Sequence, residues 1–112
     1  MLNQIVLVGR IANDLELRET ESGKSVCDIT LAVPRSYKND KGEYETDFIK
    51  CKLWQGMAQN TSNYCKKGDL VGIKGRLQTY NNGENNKYVM EVVAEKLTFL
   101  SNRSKDINEE VR

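Results

Sequence analysis

Two short stretches of this sequence set large aromatics and cations at alternate positions. Over residues 46–54, TDFIKCKLW, Phe48, Lys50, Lys52 and Trp54 follow strict i, i+2 spacing. Over residues 69–80, DLVGIKGRLQTY, the same spacing picks out Lys74, Arg76, Gln78 and Tyr80. A period of two places alternate side chains on one face of a strand. Each set therefore lies opposite an apolar face, made of Ile49, Cys51 and Leu53 in the first stretch and Val71, Ile73 and Leu77 in the second. A solvated face tolerates lysines but does not ordinarily carry Phe and Trp. Aromatic rings stack on the flat faces of unpaired bases, each stack contributing roughly 1–3 kcal/mol. Neighbouring cations track phosphates and release counterions. Every base has a π-face, so such a surface takes any sequence. Arg35, Tyr37 and Lys38, at the mouth of a polar loop over 36–45, extend the same chemistry from a third element.

Plainer readings compete at each position. Phe48 and Trp54 also suit a second apolar layer or a subunit interface. Tyr37 and Tyr80, taken singly, suit an ordinary turn or strand, and single lysines suit solvent. The coincidence on two strands favours a nucleic-acid surface with base-stacking residues Tyr37, Phe48, Trp54 and Tyr80. Its phosphate-contacting residues are then Arg35, Lys38, Lys50, Lys52, Lys74 and Arg76.

The elements that must hold these residues follow from patterning. Residues 4–10 read as a buried strand running into a bend at Gly9, and 19–25 as a turn. Residues 26–35 alternate, with Cys27, Ile29, Leu31 and Val33 on one face and Asp28 and Thr30 on the other. Residues 46–54 form the third strand. Over 57–65 the period changes: Met57, Ala58, Thr61, Tyr64 and Cys65 make the stripe of a short amphipathic helix. Lys66 and Lys67 suit its C-terminal end and Gly68 its stop. Residues 69–80 and 87–100 are the last two strands, joined through a loop with the hairpin signal Asn82-Gly83. Residues 101–112 lack an apolar period and read as a short flexible tail. The order β-β-β-α-β-β predicts an all-β fold with one short helix, a five-stranded OB-fold barrel over 1–100.

Composition narrows the function classes. The 112 residues carry 17 Lys and Arg against 16 Asp and Glu, a net charge of +1, so any nucleic-acid surface requires local sorting of charge. Histidine is absent, which removes the commonest general base and the commonest zinc ligand. Cys27, Cys51 and Cys65 are odd in number and widely spaced; they read as half-buried thiols in a reducing cytoplasm. No run is long and apolar enough to span a bilayer. No enzyme activity, cofactor or metal is expected. An OB-fold hydrolase would need clustered carboxylates, and the acidic residues are scattered.

The segments MLNQIVLVGR, ITLAVPRSY, TDFIKCKLW, NYCKKGDLVGIKGRLQTY and EVVAEKLTFL resemble the bacterial single-stranded DNA-binding protein family in order and spacing. The resemblance covers residues 1–100 and is closest to short Gram-positive forms of the competence, plasmid or phage kind. It implies an OB-fold homotetramer in the cytoplasm that coats unpaired DNA in replication, recombination, repair or DNA uptake. It implies base-stacking roles for Tyr37, Phe48 and Trp54. The family's fourth stacking aromatic falls near Asn82, where this sequence has none; Tyr80, two residues earlier, is the candidate replacement. Longer members end in an acidic-hydrophobic tip that recruits partners, and NEEVR lacks that pattern. The alternative within the same fold is a primosome-type module that binds single-stranded DNA but mainly docks partner proteins.

Overall fold

The computed structural model describes residues 1–83 and 87–102. The tip of the last hairpin, 84–86, and most of the expected tail, 103–112, lie outside the described residues. Strand β1 (Ile5–Ile11) is followed by a three-residue strand β2 (Leu17–Glu19), then β3 (Ser25–Lys38) and β4 (Tyr44–Trp54). Helix α1 (Gln55–Tyr64) leads to β5 (Leu70–Asn81) and β6 (Tyr88–Ser101). The sheet order is β1-β5-β6-β4-β3-β2, and β1 also pairs with β3. That extra pairing, Arg10 with Ala32 and Ile11 with Leu31, closes β1, β5, β6, β4 and β3 into a barrel. Four of the five junctions are antiparallel; β4 and β6 meet in parallel through only two residue pairs. This is the mixed five-stranded barrel of the OB fold, with β2 added as a hairpin arm on β3.

Alternation along the strands builds the core. Cys27, Ile29 and Leu31 of β3, Cys51 and Leu53 of β4, Val71 and Ile73 of β5, and Val92 of β6 point inward and are fully buried. Each large apolar side chain so buried contributes about 1.5–3 kcal/mol. Ala58 and Thr61 of α1 close one end of the barrel. The three cysteines are free and buried, and desolvation raises all their thiol pKa values, that of Cys51 to about 11.

Several expectations require correction. The polar stretch before the 19–25 turn contains β2, whose Arg18 pairs across to Val26. A three-residue strand is too short to show a period. The bend expected at Gly9 is instead continuous strand, and its glycine serves close approach. A Cβ there would collide with the Ala32 carbonyl oxygen at the barrel seam. Gly75 plays the same part against the Val93 carbonyl oxygen, where β5 and β6 shift register. The helix starts two residues earlier than its stripe suggests and ends at Tyr64. Its stop is the extended backbone of Cys65, while Lys66, Lys67 and Gly68 form the next turn. Gly68, at φ +98°, is the left-handed residue of that turn, and the Lys66 carbonyl accepts from the Asp69 amide.

Tyr64 is exposed, because the last helical residue overhangs the barrel end; the extended step after it turns Cys65 into the core. Leu77 is also exposed rather than part of the core. It pairs with Val92, the last β6 residue toward the hairpin tip that also meets β4, and so lies at the rim of the barrel.

The two close-approach glycines make a direct test. Gly9→Ala and Gly75→Ala should each destabilise the protein by about 1–3 kcal/mol, as overpacking does. Gly56→Ala, in α1 with open space around its Cα, should be neutral or stabilising by up to about 1 kcal/mol. Denaturant midpoints of the three variants check the contrast.

Candidate nucleic-acid interface

The outward face of β4 is a continuous stripe. Its residues are Tyr44, Thr46, Phe48, Lys50, Lys52 and Trp54, all on the side opposite buried Cys51 and Leu53. Neighbouring strands set what stands beside each ring. Ala32 pairs with Phe48, so only a methyl group faces that ring, and Phe48 is 65% exposed. Fully buried Val26 pairs with Trp54. Trp54 is fixed at the strand-to-helix junction: it is the helix N-cap in extended geometry, and Gln55 takes a left-handed φ of 59° to turn the chain. A non-glycine residue there stores strain, which a functional junction commonly tolerates.

The other predicted residues fall into two groups around this stripe. Arg35, Tyr37 and Lys38 lie on β3 itself, since the strands run further than the 36–45 loop allowed and leave only residues 39–43 as the turn. Gly42 is its turning point at φ +77°, and Asn39 Oδ1 accepts from the amides of Lys41 and Glu43. Tyr37 is 64% exposed, and the Lys38 ammonium lies 5.7 Å from the Tyr44 ring centre. On β5, Arg76, Gln78 and Tyr80 share the outward face. Lys74 lies beyond the β5–β6 register shift, opposite Val6 and Lys96, apart from the aromatic stripe.

Charges around the stripe are matched in pairs across strands, the first of them on the opposite side of β4. Arg35 holds Asp47 in a two-pronged contact, 2.9 Å from Nη2 to Oδ1 and 3.1 Å from Nε to Oδ2, and also meets Glu45 at 2.7 Å. Arg18 meets Asp28 at 2.6 Å, and Arg76 meets Glu95 at 3.4 Å. The Lys52 ammonium stands 3.6 Å from Glu91 of β6. Among the described residues, Lys38, Lys50 and Lys74 form no such ion pair. Two hollows flank Lys50. One of about 350 Å³ is walled by Phe48, Leu77 and Met90; one of about 230 Å³ is walled by Asp28, Thr30, Lys52, Tyr80 and Glu91.

Two residues of this face escaped the sequence reading. Tyr44 continues the i, i+2 series of β4 toward its N-terminus, a signal hidden by ending the strand at residue 46. Glu91 belongs to the strand over 87–100, whose two faces the sequence pattern did not separate; its place beside Lys52 depends on β6 lying between β4 and β5. Among the described residues, no three His, Cys, Asp or Glu side chains converge as a metal site, and no helix is long and apolar enough to cross a membrane.

The Arg35 contact has a measurable signature. Hydrogen bonding to Arg35 lowers the Asp47 pKa from the ordinary carboxylate value, and raises that of Arg35. A carboxylate with a depressed folded pKa contributes its pairing above the unfolded value of about 3.9 and loses it as pH falls through the lower folded value. Asp47 should therefore titrate below the usual range when followed by NMR, and Arg35→Gln should return it there.

Comparison with known proteins agrees with this geometry. Residues 2–100 match the single-strand binding protein family. The chain is 48% identical over 109 residues to single-stranded DNA-binding protein B of Bacillus subtilis, covering 95% of this chain and 96% of that one. It is 50% identical over 107 residues to single-stranded DNA-binding protein 3 of Streptococcus agalactiae, covering 93% and 78%. It is also 50% identical over 106 residues to the single-stranded DNA-binding protein of Halalkalibacterium halodurans, of which it spans 63%. A match over almost the whole described chain, on a barrel whose outer face alternates rings and cations, makes this chain a member of the single-strand binding protein family.

Proposed function

We propose that the protein coats unpaired DNA without reading its sequence, stacking bases on Tyr37, Phe48, Trp54 and Tyr80. It is a binding protein, not an enzyme. The observation that carries the proposal is the outward stripe of β4, where an exposed ring, Phe48, and a half-exposed one, Trp54, bracket Lys50 and Lys52 beside two hollows. Tyr44 extends the stacking surface toward Tyr37. Lys38, Lys50 and Lys74, without carboxylate partners among the described residues, supply phosphate contacts. Arg35 and Arg76 reach a phosphate only by exchanging Asp47 and Glu95 for it, so their net contribution is smaller.

The assembly proposed is a homotetramer working in the cytoplasm, in replication, recombination, repair or DNA uptake. What supports assembly is the outward face of β1. Val6 and Val8 are exposed, and Val8 stands beside Gly72 and Leu100, so that an apolar strip faces outward. Apolar strips of this kind suit a protein interface. Light scattering should give four times the chain mass at micromolar concentration; a monomer there would refute assembly through β1.

Base stacking is tested through the single tryptophan. Oligo-dT should quench Trp54 emission strongly, whereas duplex DNA of equal length should not. Trp54→Ala, Phe48→Ala and Tyr37→Ala should each weaken oligo-dT binding by roughly 1–3 kcal/mol. Wild-type affinity in all three folded variants would rule out stacking. Phosphate contacts are read from salt: log affinity should fall linearly with log salt, and Lys50→Gln should lower the slope by about 0.7.

A further inference from the structure

Lys52 differs from the other cations of the face. Its side chain is only 19% exposed and that of Glu91 only 11%, and the two are 3.6 Å apart. The same ammonium lies 5.8 Å from the Trp54 ring centre and 5.6 Å from the Tyr80 ring centre. Both distances fall within the reach, about 6 Å, at which a ring face attracts a cation. The two rings belong to strands that do not pair: β6 lies between β4 and β5. Glu91 projects from that intervening strand, with Gln78 opposite it on β5. One charge therefore ties together side chains from three strands.

We infer that Lys52, held by Glu91, is a positioning residue that joins Trp54 and Tyr80 into one two-ring base platform, and that it does not serve as a phosphate ligand. The inference rests on the base-stacking reading and deepens it by giving Tyr80 a definite place in the site. A phosphate ligand needs its ammonium turned to solvent and free of a competing carboxylate. Lys52 is instead shielded, and leaving Glu91 for a phosphate would strand a carboxylate that is mostly buried. Staying costs nothing of that kind, and the ammonium attracts both ring faces. The hollow beside it, walled by Tyr80, Lys50 and Asp28, leaves room for a base against the Tyr80 side of the platform.

Four variants separate a positioning lysine from a phosphate-binding one. Lys52→Met with Glu91→Gln removes the pair without leaving a buried charge alone. It should weaken oligo-dT binding about fivefold to tenfold and reduce the Trp54 quenching at saturation, with the salt slope unchanged. Lys52→Arg, which keeps the cation over the rings, should restore both. Glu91→Gln alone should free Lys52 for phosphate and raise the salt slope by up to about 0.7. Tyr80→Leu added to the paired variant should cost little more, since the platform is already lost.

A slope that falls in the paired variant as it does in Lys50→Gln would make Lys52 a phosphate ligand and overturn the inference. An unchanged slope in Glu91→Gln, or full additivity with Tyr80→Leu, would overturn it as well. Absence of Trp54 quenching in the unaltered protein would instead overturn the stacking reading itself, so the two failures are distinguishable. Thermal unfolding of each variant confirms that it is folded; were the paired variant not to fold, the Glu91→Gln slope alone decides.

Discussion

The whole surface depends on the seam where β1 pairs with both β3 and β5. Backbone meets backbone there, and at Gly9 the approach to Ala32 of β3 leaves no space for even a methyl group; Gly75 makes the same close approach to Val93 where β5 meets β6. Closure fixes the strand tilt, and the tilt decides which side chains of β4 and β5 look outward together. Closure also requires β4 to meet β6, and that contact, with the β5–β6 pairing, is what brings Lys52, Glu91 and Tyr80 together. The register shift at Lys74 and Gly75 is part of the same constraint. It lets β5 curve round the barrel, and it moves Lys74 away from the rings toward β1.

With a net charge of only +1, the chain cannot rely on a general positive field to gather DNA. The structure pairs cations with carboxylates: Arg18 with Asp28, Arg76 with Glu95, and, on the other side of β4, Arg35 with Asp47 and Glu45. Exposed pairs of this sort add little to stability. Their main consequence is to shift weight from phosphate attraction to ring stacking. Such a balance suits a coat protein that must tolerate every sequence and still let go, because stacking is distributed over many weak contacts.

The departures from the sequence reading have a common cause. Leu77 and Tyr64 carry the right residue types at the right period for burial, yet both are exposed. Periodicity reports which face a residue takes, not whether another element extends far enough to cover it. The reverse holds at Val26, which alternation puts on the outer face and which is nonetheless fully buried. The thiols follow ordinary desolvation: each sits in the barrel interior, and burial raises its pKa.

The sequence by itself determined the succession of the five barrel strands and the single helix, though not β2, and most of the inward and outward faces of β3 and β4, because a two-residue period is a local property of the backbone. It also determined that Phe48, Lys50, Lys52 and Trp54 share a face, and the resemblance of its segments pointed to the family that residues 2–100 match. Only the tertiary structure decided which residues of different strands meet. That Lys52 stands between Trp54 and Tyr80 rather than in solvent follows from β6 entering between β4 and β5 in parallel to β4. That Tyr44 joins the stripe follows from pairing that carries β3 and β4 past the end suggested by polar residues. Cross-strand neighbours are separated by tens of residues in the chain, and no local period encodes them; barrel closure does.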